Sequence, residues 1–299
     1  DGSVKINPPM DTVLDAKDQV IAIAEDDDMV IVSDISDFKI NTDAIVVGVE
    51  HEQTQEKNLI LGWNRKAPII AQELDNYVLA GSELLVVADF EGIEQHIETV
   101  KPLLKNQEIR FIKGDITKKA VLEEIDIPSY NDVILLAYPD LNIQEADAKT
   151  LIALLHLRNI SEHTGKQISI VSEMCDIKNR DLAEVAKADD FIISMNMISL
   201  MLSQLSENKH LKKVFDDLFD ADGSEIYLKP VTDYIKPDVD VNFYTILESA
   251  ARKNQVAIGY RLMEYAYDPD KFFGVNVNPE KSSMIHFTAD DKIIVLAED

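Results

Sequence analysis

From Asn58 onward the chain alternates short, almost wholly apolar runs with segments of helical period, and that alternation leaves few folds open. The apolar runs are Asn58–Leu61, Leu84–Ala88, Ile109–Ile112, Val133–Ala137, Ile168–Val171 and Phe191–Ile193. Between them, Ala67, Ile70, Leu74, Tyr77 and Val78 recur at helical spacing, as do residues within Val121–Ile125, Gln144–Ile160 and Asp181–Ala188. Strands apolar on both sides, separated by helices, belong to a parallel sheet covered on both faces. Residues 58–222 are therefore expected to form a Rossmann-like, doubly wound α/β unit. Its last part, Met197–Phe219, is a strongly apolar helical region. After Gly223 the period returns to strands at Glu225–Lys229, Gln255–Arg261 and Lys292–Leu296, with a helix at Phe243–Lys253, so residues 223–299 predict a small α+β unit.

A second feature concerns the two ends. Residues 18–26 (Asp-Gln-Val-Ile-Ala-Ile-Ala-Glu-Asp) return as residues 291–299 (Asp-Lys-Ile-Ile-Val-Leu-Ala-Glu-Asp), with five of nine positions identical. Each copy follows an Asn-Pro element, at Asn7-Pro8 and Asn278-Pro279. Such spacing suggests tandem units, with the end of one preceding the whole of the next. Residues 1–33 then read as strands at Val4–Ile6, Gln19–Ala24 and Met29–Val32, with the acidic run Glu25–Asp28 as a turn. Residues 34–57, polar and mixed, read as a linker.

Composition excludes several functions. The 299 residues carry a net charge of −26, which opposes binding to duplex nucleic acid or an anionic membrane. One cysteine, Cys175, rules out a disulfide framework and a cysteine-built zinc site, and reads as a small buried hydrophobe. No charged segment followed by an apolar core opens the chain, so no signal peptide is expected. The near-apolar stretch Phe191–Leu205 is too short and too polar to span a bilayer.

The first strand–helix junction is where a Rossmann fold places its phosphate loop. It reads Gly62-Trp63-Asn64-Arg65-Lys66-Ala67: a glycine for the tight turn, an alanine for close helix packing, and Asn64 where backbone should meet a pyrophosphate. Asp89, closing the second strand, stands where a ribose-binding acid would, and Asp115 stands near an adenine edge. Trp63 offers either a stacking platform or a cover for the helix start. Arg65 and Lys66, placed against the positive helix terminus, call for an anion, either a ligand or a carboxylate of the same chain. With Asn64 in the loop, a nucleotide is not the expected cofactor. The six histidines lack metal spacing, and there is neither a nucleophile elbow nor a P-loop lysine. The chain is not expected to be an enzyme, although an NAD(P)-dependent oxidoreductase is the alternative that the Rossmann order and Asp89 leave open.

Two further clusters stand out. Asp216, Asp217, Asp220, Asp222 and Glu225 fall within ten residues at a helix end, where the dipole is unfavourable to them. They form either a solvated loop partnered by Lys212, Lys213 and Lys229, or a divalent-cation site of hard oxygen ligands suited to calcium. The glycine comes too early for an EF-hand. Met197, Ile198, Leu200, Met201, Leu202 and Leu205 cover more than one helix face, which predicts packing on another subunit or domain.

Several stretches carry a family resemblance: Leu61-Gly62-Trp63-Asn64-Arg65, Pro68, Gly81-Ser82-Glu83-Leu84, Ser172-Glu173, Ile192–Asn196, Phe215–Phe219, Gly223–Tyr227 and Ile258-Gly259-Tyr260-Arg261-Leu262. Together they resemble the CASTOR/POLLUX cation channels over nearly the whole chain. The resemblance implies tandem RCK domains, a tetrameric cytosolic ring that gates a pore lying outside this chain, at the cytoplasmic face of a membrane. Residues 1–33 would end the first RCK domain, and 58–222 and 223–299 would be the two lobes of the second. Ligand binding to the ring would then regulate ion conduction. A soluble TrkA-type potassium-transport subunit, which would lack a pore altogether, is the other reading.

Overall fold

The computed structural model describes residues 4–9, 11–24, 34–48, 54–138, 141–166, 168–179, 190–221, 223–266 and 268–298. The chain divides into two compact units, Glu52–Asn208 and a second made of Lys209–Asp299 with Asp1–His51. The division between the units falls within the helical region expected at Met197–Phe219, which forms two helices, Ser194–Glu207 and Leu211–Leu218.

The first unit holds strands β1 (Lys57–Leu61), β2 (Ser82–Ala88), β3 (Gln107–Lys113), β4 (Asp132–Leu135), β5 (Ser169–Met174) and β6 (Asp190–Ile193). They form one sheet in the order β3-β2-β1-β4-β5-β6, parallel throughout. This is the order of the dinucleotide-binding fold, with its topological switch between β1 and β4. The described helices are α1 (Ala67–Tyr77), α2 (Ile93–Val100), α3 (Lys119–Glu123), α4 (Ile143–Thr164) and α5 (Ser194–Glu207). The expected helix at Asp181–Ala188 lies outside the described residues, and α2 is an element the periodicity did not single out. Two apolar layers sandwich the sheet. One joins Leu59, Leu61, Val133 and Leu135 to Ala153, Leu154 and Leu157 of α4; the other joins Ile60, Leu84 and Val86 to Ala67 and Ala71 of α1 and to Ile93 and Ile97 of α2.

Buried carboxylates fasten helices to strand ends. Asp75 of α1, 3% exposed, accepts from the backbone N–H of Lys105, Asn106 and Gln107 at 2.6, 2.9 and 2.9 Å, and so fixes the entry to β3. Asp147 of α4 does the same at the exit of β5, accepting from Cys175 N, Asp176 N and Asn179 Nδ2 at 2.8, 3.0 and 2.7 Å.

In the second unit, α6 (Leu211–Leu218) precedes β7 (Glu225–Pro230), β8 (Val239–Asn242), α7 (Phe243–Ala251), β9 (Val256–Arg261), β10 (Val275–Val277), β11 (Met284–Phe287) and β12 (Lys292–Ala297). An antiparallel sheet in the order β10-β9-β12-β7 packs on α7, beside the two-stranded sheet β11-β8. Part of the expected linker belongs here. Ala44 joins this core, Ile45 bridges Ile235, Asn242 Nδ2 donates to Phe38 O at 2.9 Å, and the Phe38 and Tyr244 rings lie 4.7 Å apart.

The two copies of the terminal repeat differ in surroundings. In β12, Ile293, Ile294 and Leu296 are 0%, 5% and 8% exposed, whereas the matching Val20, Ile21 and Ile23 are 75%, 47% and 49% exposed. Neither Val4–Ile6 nor Gln19–Ala24 is a paired strand as expected, and Met29–Val32 lies outside the described residues. The turn into each copy is nonetheless the same: Thr288 N donates to Asp291 Oδ2 at 2.7 Å, and Asp15 N donates to Asp18 Oδ2 at 2.7 Å. A backbone bond closes both turns, Asp291 N to Thr288 O at 3.2 Å and Asp18 N to Asp15 O at 3.0 Å. A strand with apolar residues on both faces pairs only inside a sheet that is covered on both sides, and residues 18–24 have none among the described residues.

Asp75 is the clearest test of this framework. Asp75→Ala leaves three backbone donors unanswered beside α1 and should lower the unfolding free energy by about 3 kcal/mol. Urea denaturation should show a lower midpoint at unchanged slope.

Candidate ligand crevice and acidic cluster

The crevice opens beyond the carboxyl ends of β1 and β4, where parallel α/β sheets bind their ligands. Gly62 leaves β1 at φ +90°, its N–H donating to Val87 O at 2.8 Å, and a Cβ on it would stand 2.6 Å from Leu136 O. A side chain is thus excluded by both backbone conformation and space. Trp63 turns into the apolar layer, 1% exposed, and its Nε1–H reaches His96 Nδ1 at 3.4 Å. It covers the start of α1 and is no open platform for a ring. Arg65 is exposed.

Asn64 explains its own presence. Buried at 8% exposure, its Nδ2 donates to Ala137 O at 3.0 Å and to Glu173 Oε2 at 2.9 Å, and its Oδ1 accepts from Lys66 N at 2.9 Å. The same Glu173 carboxylate accepts from Ala137 N at 3.3 Å and is ion-paired with Lys66. Glu173, from the end of β5, was not among the candidate site residues. Its signals in the sequence are a charge at the end of a buried strand and its place in the Ser172-Glu173 stretch of the family resemblance. Cys175, two residues on, is held by Asp147; burial, together with the Asp147 and Glu173 charges, pushes its thiol up and away from the reactive thiolate.

Asp89 and Asp115 follow β2 and β3 and flank a third group, Tyr138, just beyond β4. Burial first, then the charges of Asp115 and Asp89, push the Tyr138 phenol up to about 12. Its hydroxyl is buried with no hydrogen-bond partner among the described residues, and Lys149 of α4 lies 4.5 Å over its ring. Asp115 is opposed by burial, but bonds from the Thr117 hydroxyl (2.7 Å) and N–H (3.0 Å), with Lys149 and Lys118 nearby, hold it below the ordinary carboxylate value. Both acids therefore lie near Tyr138 at the carboxyl end of the sheet.

The acidic cluster is not gathered in the same way. Asp216 is paired with Lys212 at 2.6 Å, one turn back on α6. Asp217 faces Glu298 and Asp220, and burial together with those charges raises its carboxyl above the usual 3.8. Lys229 lies over the Tyr227 ring at 4.6 Å, and Asp222 is outside the described residues. Among the described residues, no group of three His, Cys, Asp or Glu side chains could hold a metal ion. An i,i+4 lysine thus holds Asp216, one of the expected calcium ligands, on the surface of α6.

Two substitutions test these assignments. Tyr138→Phe removes a hydroxyl that is desolvated without return, so the melting temperature should stay level or rise. Asp217 binds its proton more tightly folded than unfolded, so it destabilises the fold as pH rises from about 3.8 through its raised value. Asp217→Asn should therefore raise the melting temperature at pH 7, with the gain vanishing once acid protonates both states.

Comparison with known proteins agrees with this geometry. Residues 58–194 match the TrkA-N domain family. The chain is 25% identical over 99% of its length to a probable ion channel, POLLUX, of Arabidopsis thaliana, and 24% identical over 99% to the probable ion channel CASTOR of rice, Oryza sativa. It spans only 39% and 36% of those relatives. Among solved structures, the human SLO3 gating ring superimposes with a TM-score of 0.54 at 13% identity, over 82% of this chain and 44% of that one. No helix among the described residues is long and apolar enough to cross a membrane. Residues 58–194, which match the TrkA-N domain family, thus form a Rossmann-type unit within a chain similar over 99% of its length to probable ion channels of the CASTOR/POLLUX kind.

Proposed function

We propose that this chain is the ligand-sensing RCK region of a cation channel, a non-enzymatic module that assembles as a ring at the cytoplasmic face of a membrane. Ligand-driven changes in that ring would bias a pore carried elsewhere in the protein. The observation that carries this reading is α5. Met197, Ile198, Leu200 and Leu202 are 55%, 52%, 56% and 62% exposed, spread around a helix that a self-sufficient unit would bury. A second copy of this chain is the occupant that a gating-ring fold implies.

Residues 1–33 support a tandem arrangement. The segment 18–24 has the apolar pattern and entry turn of β12 but no sheet pairing among the described residues, and in our reading it is the central strand of a preceding RCK domain. Tandem domains would give each chain two places in the ring.

Sedimentation of the chain should show concentration-dependent self-association. Leu200→Glu with Leu202→Glu should leave a folded monomer by circular dichroism. A parent that stays monomeric at high concentration would sink the ring assignment. The tandem assignment has its own measurement, amide exchange at 19–24: unprotected in this chain, and slowed when the preceding part of the channel is present.

A further inference from the structure

Glu173 is a buried anion in the place where a Rossmann crevice receives its ligand's phosphates. Its side chain is 10% exposed, and it reaches the loop after β1 from β5, two strands away across the sheet. Three kinds of donor converge on the carboxylate: the Asn64 amide at 2.9 Å, the Ala137 backbone N–H at 3.3 Å, and the Lys66 ammonium. Lys66 is the residue just before α1, and its own N–H is bonded to Asn64 Oδ1, so the anion sits at the positive terminus of an eleven-residue helix. A charged carboxylate so deeply buried is tolerable only with such a donor set. These are also the elements that elsewhere cradle a pyrophosphate: a glycine turn, a helix start and a neighbouring strand end.

We propose that Glu173 is a built-in surrogate for a phosphate: the crevice is self-liganded, and diphosphate-bearing ligands are excluded by occupation and by charge, not by loss of the fold's anion site. Asn64 is then the adapter. Its amide replaces the backbone approach that a glycine would permit and points a donor at the internal carboxylate. Asp147, by holding Cys175 N and Asp176 N, fixes the backbone that follows Glu173 and keeps the carboxylate aimed inward. Asp89 and Asp115 remain at the outer end of the crevice.

The test uses this chain with inorganic diphosphate, ADP and NAD as separate probes, in calorimetry and thermal unfolding. The parent should bind none of them measurably. Glu173→Ala should bind diphosphate with affinity raised by about tenfold or more, the worth of charge-assisted bonds made available to a new anion. Adding Lys66→Met should abolish that gain. Diphosphate binding without ADP or NAD binding would place the new site at the phosphate position alone; binding of all three would extend it along the crevice to Asp89. A parent that binds diphosphate as tightly as the variant, or a folded Glu173→Ala that ignores all three probes, would overturn the proposal. If Glu173→Ala does not fold, Glu173→Ser carries the same outcomes, since it also removes the charge and empties the anion position while leaving a small hydroxyl to accept a hydrogen bond.

Discussion

A carboxylate cannot stay charged inside a protein unless donors replace the water it has lost. At the centre of this fold that constraint is met by Glu173, Asn64, Lys66 and the backbone of Ala137. The network ties the ends of β1, β4 and β5 together across the switch point, the place where a doubly wound sheet has a gap between diverging connections. Gly62 lets the chain turn tightly enough to bring Asn64 into range, since any side chain there would strike Leu136 O. Asp147 and Asp75 apply the same physics at the exit of β5 and the entry to β3. The sheet is thus held at its edges by buried carboxylate-to-amide contacts, while its faces are held by apolar packing.

That arrangement bears on what the unit can do. A Rossmann crevice open to solvent, with glycines around the phosphate position, takes up a dinucleotide. This one is filled by its own side chains, and the surfaces it leaves unpartnered are apolar: α5 in the first unit and residues 18–24 in the second. Exposed apolar surface of that kind is what packing against another chain or domain would cover.

The terminal repeat shows how one pattern can have two structural fates. Residues 18–24 and β12 share their apolar sequence and an Asx-type entry turn, because a short aspartate side chain accepting from the N–H three residues earlier is a purely local interaction. They differ in burial because a strand's pairing is non-local. β12 has β7 and β9 on either side, and residues 18–24 have no such neighbours among the described residues.

By itself the sequence determined the succession of strands in the first unit and the helices α1, α3 and α4 between them. Those follow from periodicity and from the handedness of βαβ connections, which leave little freedom once the alternation is given. Tertiary structure alone decided that Trp63 is buried, that Ala44 and Ile45 of the expected linker are buried with the second unit, and that Asp216 turns to Lys212. It alone placed Glu173 against Asn64, 109 residues apart in the chain. Contacts of that range depend on which strand ends the fold brings together, and neither residue's local pattern records its partner.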